Sequence, residues 1–330
     1  MGYKRNPIFS IIMLLLCAMI WGFAFSAQSV GAEYVGPWTF LAARAWIGVA
    51  TLLVFIGVRR FIILRTDEGR RAYEDAEASL SGRGEDCAYG KIAMFRGRLK
   101  IGKTMLIAGA STGILLCLAS VTQQAAIAYT TVAKSSFITA MYVVIVPILS
   151  LLLGRRSGAR IWFAVALSVV GLYMLSFSDG IGSVNKGDLM TLGCAVLFAM
   201  QIICVNHFVD RLDGLVLSCS EFFFEAVLAT CGMLIFEEPS ISSLVPAFTA
   251  ILYAGVMSNG VAYTLQILGQ KGFDPTVASL CMCMESVFGA LGGFILLKQT
   301  LTVRELMGCV LMFGAILMAE LPSQRRRQSE

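Results

Sequence analysis

The chain has 330 residues, 57% of them apolar and only 14% charged, with a formal net charge of +5. A soluble globular chain carries about 25% charged residues, so this composition excludes an ordinary soluble domain and points to an all-α integral membrane protein. One histidine and ten cysteines without a CxxC pair leave no metal-ligand set, and the positive charge is read as a topology signal, not as a nucleic-acid surface.

Taken in order, ten apolar segments approach the roughly 20 residues that cross the hydrocarbon core at about 1.5 Å per residue. The first, 8–28, follows Lys4 and Arg5 and is longer than the apolar region of about 7–15 residues in a secretory signal, so it is read as an uncleaved helix despite Ala24-Phe25-Ser26. Trp21-Gly22 at its middle sets a broad aromatic beside a point of close approach. Pro37 opens the second, 38–58. Arg44 falls about 10 Å from its start, where it either snorkels to the headgroups or bonds into the bundle. Residues 59–103 hold eleven basic and seven acidic side chains and are read as a hydrophilic loop, with anionic lipid or a regulator as alternative partners.

Gln123 and Gln124 close the third segment, 104–124. In the fourth, 131–153, Lys134 lies one turn in and Tyr142 follows eight residues later, near the same face. Polar groups at that depth cost free energy unless they meet protein or water, so this helix is expected to line a cavity. Pro147 should kink it. A basic link with Arg155, Arg156 and Arg160 leads to 161–177, and a Gly-rich hinge at 179–186 to five more segments, 187–209, 214–236, 246–269, 276–297 and 304–321.

With the N-terminus in the cytoplasm, all but five of the 26 Lys and Arg fall on the cytoplasmic side; the exceptions are Arg44, Lys134, Lys186, Lys298 and Arg304. An even helix count then puts both termini inside. The halves echo one another: Thr130-Thr131-Val132-Ala133 against Pro275-Thr276-Val277-Ala278, and Gly171-Leu172-Tyr173-Met174 against Gly314-Ala315-Ile316-Leu317. Five helices per half is odd, so two inverted repeats are expected, 1–180 and 181–330, with a substrate site between them.

Several stretches, in order and spacing, resemble the EamA family of the drug/metabolite transporter superfamily. They are Trp21-Gly22 with Phe25; Pro37, Phe40 and Arg44; Gln123-Gln124; residues 131–147; 255–266; 274–297; and Glu305-Leu306-Met307-Gly308. The resemblance implies ten transmembrane helices around a central cavity and no cofactor. Two departures stand out. Arg155 or Arg156 and Gln299 replace acidic residues usual after helices four and nine, and the 59–103 loop is long for the family.

Glu285 falls about 15 Å into the ninth segment, near the bilayer centre. Lack of water there disfavours a bare carboxylate, which makes it a candidate to carry a proton or hold a cationic substrate group, or else a structural carboxyl bonded across helices. Lys134 is a candidate for an anionic group, or snorkels. Gln123, Gln124, Gln201 and Gln266 are candidate polar contacts, or interhelical bonds worth about 1 kcal/mol. Trp21, Tyr142 and Tyr263 are candidate aromatic walls. Glu221 and Glu225 share a helix face, the first near enough to the cytoplasmic end to reach water and the second in need of a partner.

These residues describe a secondary transporter of the plasma membrane that exports a small, amino-acid-like metabolite by alternating access, with membrane lipid around it, proton coupling through Glu285 as a hypothesis and a homo-oligomer compatible with the chain. A receptor or scaffold acting through the charged loop, and an intramembrane enzyme, are the alternatives. Against the enzyme stand the missing HExxH, GxSxG and Asp-rich motifs, and against direct ATP hydrolysis the missing Walker sequence.

Overall fold

The structure, a computed structural model, describes residues 7–65, 102–130, 132–155, 158–176, 185–297 and 302–320. Among them every regular element is a helix: α1 (Pro7–Ala32), α2 (Pro37–Arg65), α3 (Lys103–Ala126), α4 (Val132–Ala140), α5 (Tyr142–Leu152), α6 (Ala159–Ser176), α7 (Lys186–Phe208), α8 (Gly214–Phe236), α9 (Ile241–Tyr253), a π-helical stretch (Ala254–Ala262), α10 (Tyr263–Gln270), α11 (Pro275–Met282), α12 (Glu285–Leu297) and α13 (Val303–Glu320). Seven helical stretches are long and apolar enough to cross a membrane, and three shorter apolar ones accompany them. This is a multi-pass membrane protein.

Local chemistry sets the helix starts. Asn185 and Asp188 form a reciprocal capping box on α7, Asp213 accepts from the amides of Leu215 and Val216 at the head of α8, and Asp274 accepts from those of Thr276 and Val277 with Pro275 in the first turn of α11. Each satisfies donors that the helix leaves without an internal partner. The helix expected from Pro246 begins five residues earlier, where the Ser240 hydroxyl accepts from Ser243 N. Pro246 thus lies inside α9, not at its head.

Three expectations about helix four and its surroundings need correction. The kink expected at Pro147 appears six residues earlier, as a break at Met141 between α4 and α5. A proline ring collides with the carbonyl four residues before it, here that of Val143. The ninth expected helix is also divided, between Met282 and Glu285, without a proline. There the Ser279 hydroxyl donates to Thr276 O and the Cys283 thiol to Leu280 O, side-chain bonds of a kind that bends helices. Finally, α2 continues through Arg65, so Arg59 and Arg60 are helical and not part of a loop; the rest of that loop, 66–101, the hinge residues 177–184, Lys298 and Gln299 lie outside the described residues.

Helices α2 and α8 run antiparallel and are joined at both ends. At one, the Glu237 carboxylate after α8 accepts from Trp38 N at 2.9 Å, Thr39 N at 2.8 Å and the Thr39 hydroxyl at 2.6 Å, capping α2. At the other, Arg59 donates to both oxygens of Asp213, the nearer at 2.9 Å. Elsewhere α1 packs on α11 and α12, α3 on α7 and α8, and α6 along α13. Gly22 brings the α1 backbone against that of α12, the close approach its position in helix one implied.

Candidate functional site

The elements above converge on one internal cavity. Its walls come from α1 (Trp21, Phe25, Gln28), α2 (Arg44), α3 (Gln123), α4 (Thr139), α5 (Tyr142), α7 (Phe198, Gln201, Ile202), the π-helical stretch (Ser258), α10 (Tyr263, Gln266) and α12 (Glu285). Both broken helices supply the first residue after the break, Tyr142 and Glu285. A π-helical stretch in the same wall widens the backbone beside Ser258, a distortion that often accompanies function.

Seven of the nine candidate site residues line this cavity: Trp21, Gln123, Tyr142, Gln201, Tyr263, Gln266 and Glu285. Trp21 and Tyr263 meet edge to face at 4.7 Å between ring centroids, and Tyr263 meets Phe222 at 5.1 Å, so the aromatic wall is rigid. Gln123 donates to the Thr139 hydroxyl at 3.2 Å. Gln266 donates to Gln201 Oε1 at 3.3 Å, and Gln201 in turn donates to Glu221 Oε1 at 2.7 Å. Gln124 is turned away and donates to the carbonyl of Gln28 at 3.0 Å, tying α3 to α1. It does not line the cavity. Lys134 belongs to α4, and its side chain is outside those described.

Three buried polar atoms at this cavity have no hydrogen-bond partner within the protein, Trp21 Nε1, Gln28 Oε1 and Gln266 Oε1, while the Tyr142 hydroxyl and the Glu285 carboxyl face each other as partners. Buried polar groups are nearly always paired, so a cluster of them around one space marks where polar atoms of another molecule fit. The free volume is about 40 Å³, enough for a few waters at roughly 10–15 Å³ each.

Arg44 is the residue that sequence reasoning weighed but did not assign to the site. It is only 3% exposed and lines the cavity, so it does not snorkel. Glu221 also departs from expectation: it is fully buried, as is Glu225, and does not reach water. Thr139, Phe198 and Ser258 carried no signal in the sequence, being ordinary residues of apolar runs.

Comparison with known proteins places this architecture. Residues 185–321 match the EamA-like transporter family, and an uncharacterized transporter of Archaeoglobus fulgidus is 24% identical over 321 residues, spanning 97% of this chain and 88% of that protein. The second half of the chain is thus similar to the EamA-like transporter family. A solved crystal structure of a protein shares the fold of this chain with a TM-score of 0.71, covering 97% of this chain and 99% of the other at 16% identity.

Proposed function

We propose that this protein is a secondary transporter of the EamA family, in the plasma membrane, that exports a small, amino-acid-like metabolite by alternating access. The observation that carries the reading is the convergence of polar side chains from both halves on one buried cavity, with Arg44 and Glu285 both in its walls. A guanidinium and a carboxyl there complement a molecule bearing both charges, and Trp21 and Tyr263 offer it an aromatic face. Proton coupling by a buried carboxyl would supply the driving force.

Ten membrane helices in two inverted five-helix repeats are part of this reading, with both termini in the cytoplasm. The packing supports it. If the halves are exchanged, α1 against α11 and α12 corresponds to α7 against α4 and α5, and α3 against α7 and α8 to the α9–α10 segment against α1 and α2; the pairs α2–α8 and α6–α13 map onto themselves. Discontinuous helices beside a central site also fit alternating access. In this conformation the free volume admits waters and not a metabolite, so loading requires the walls to part.

The test is untargeted mass spectrometry of the medium around cells that overproduce the wild-type protein or equal amounts of Glu285→Ala. A compound enriched outside only with the wild type names a candidate substrate and puts Glu285 in the mechanism. Enrichment with both retains export and removes Glu285 from it. Enrichment with neither rejects export under the conditions used.

A further inference from the structure

Two carboxyls of α8 stand outside the cavity wall and do work that the reading above leaves unexplained. Glu221 and Glu225 are one turn apart on one face and both fully buried. Glu221 Oε1 accepts the hydrogen bond from Gln201 and its Oε2 has no hydrogen-bond partner, while the Glu225 carboxyl is met by the Ser120 hydroxyl. Groups face the pair from each neighbouring helix: Arg44 from α2 and Cys117 and Ser120 from α3 face Glu225, Gln201 and Cys204 from α7 face Glu221, and Tyr263 from α10 faces both. Arg44 is the one cation among them.

Charge balance then decides. A buried carboxylate without a compensating cation is among the most costly things a fold can hold. One guanidinium offsets one negative charge, so two neighbouring carboxylates cannot both be ionised here. A hard metal cation is a poor candidate for the second charge, because such ions take about six or more oxygens, whereas Gln201 presents an N–H to this pair. The backbone is also closed against α3: a Cβ on Gly113 would lie 2.6 Å from Glu221 O and 2.7 Å from Phe224 Cβ.

We propose that Glu221 and Glu225 form a proton-binding site on α8, separate from the substrate cavity, in which the pair holds one proton while Arg44 balances the remaining charge. Two connections link it to the cavity. One is the hydrogen-bonded chain from Glu221 through Gln201 to Gln266, which lines the cavity. The other is Arg44, which faces both. An anionic substrate group that engages Arg44 draws its charge away from the pair and so strengthens the pair's hold on protons; by reciprocity, loading the pair with protons frees Arg44 for the substrate. This coupling rests on the transporter reading, whereas the proton site itself does not.

Infrared spectroscopy of the purified full-length protein in nanodiscs tests the site directly, with the proton as probe. A protonated carboxyl gives a carbonyl stretch that shifts on exchange into heavy water. The expected result is loss of the band in Glu221→Gln, which leaves Glu225 as a single carboxylate beside Arg44, a shift of the band in Glu225→Gln, and its retention in Glu285→Gln. A band unchanged in both α8 variants, or absent from the wild type, overturns the proposal. If Glu225→Gln does not yield monodisperse protein, Glu225→Asp is read instead: a frequency shift of the band supports the pair, and an unshifted band rejects it. Loss of the band without any metabolite export retains the proton site and removes the transporter reading, and export from a protein lacking the band does the reverse.

Discussion

Replacing Gly22 by alanine adds one methyl group where α1 and α12 touch through backbone alone. A Cβ at that position lies 2.6 Å from Gly289 N, 2.7 Å from Glu285 O and 2.8 Å from Phe288 C, whereas ordinary contact begins at 3.4 Å. None of these atoms can leave by changing rotamer, so the helices must separate by about 0.6–0.8 Å. Overpacking of this kind costs about 1–3 kcal/mol, and alanine recovers about 0.5–1 kcal/mol over glycine inside a helix, which leaves a net loss of about 1–2 kcal/mol. Gly289 on the opposite side provides the control: a Cβ there has its nearest neighbours at 3.6 and 3.9 Å, so Gly289→Ala keeps the helix gain without a clash. The two variants of one contact are therefore expected to move in opposite directions, separated by about 2 kcal/mol. Reversible unfolding in mixed micelles, followed by circular dichroism, measures the difference. Gly22→Ala at or above wild-type stability, or equal effects of both substitutions, would refute the packing argument.

Other predictions concern the charged contacts. Glu237→Ala strips three hydrogen bonds from the start of α2 and is expected to cost about 2–3 kcal/mol in the same assay; Glu237→Gln, which keeps one acceptor oxygen, should fall between it and the wild type. Asp213→Asn retains a capping oxygen but loses the ion pair with Arg59, whose side chains are 35% and 22% exposed, so its cost stays below about 1 kcal/mol and shrinks with added salt. Arg44→Met leaves the α8 carboxyls without their cation and should destabilise by about 3–5 kcal/mol. Adding Glu225→Gln should return at least half of that, and a double-mutant cycle that shows simple additivity would argue against any interaction between the two.

Much of this molecule is legible in its residues. The expected segment 214–236 coincides with α8, because Asp213 and Gly214 mark its start and the apolar run is unbroken. Four of the seven cavity residues, Gln123, Gln201, Gln266 and Glu285, were also legible, since a glutamine or glutamate in an apolar run has few places to go other than the interior. What escaped was set by contacts distant in sequence. Arg59 and Arg60 read as loop because charge normally ends a membrane helix, yet Asp213, over 150 residues away, receives Arg59 and lets the helix go on. Arg44 was undecided because snorkelling and burial have the same local pattern, and the choice depends on which helices pack around it. Glu221 was placed in water by counting residues from a helix end, whereas α3 and α7 cover that end. The break before Glu285 has no proline or glycine to announce it and rests on Ser279 and Cys283 bonding back to their own helix.

The double attachment of α2 to α8 bears on how this protein can change shape. One member lies in the first half of the chain and the other in the second, so the halves are pinned to each other at two points near opposite ends of the pair. A structure pinned in this way resists shear, because any sliding of one half along the membrane normal breaks both pins together. It tolerates swivelling about the pinned line far better. The α2–α8 pair therefore fixes the register of the two halves along its length and leaves swivelling about the pinned line as the less costly relative motion.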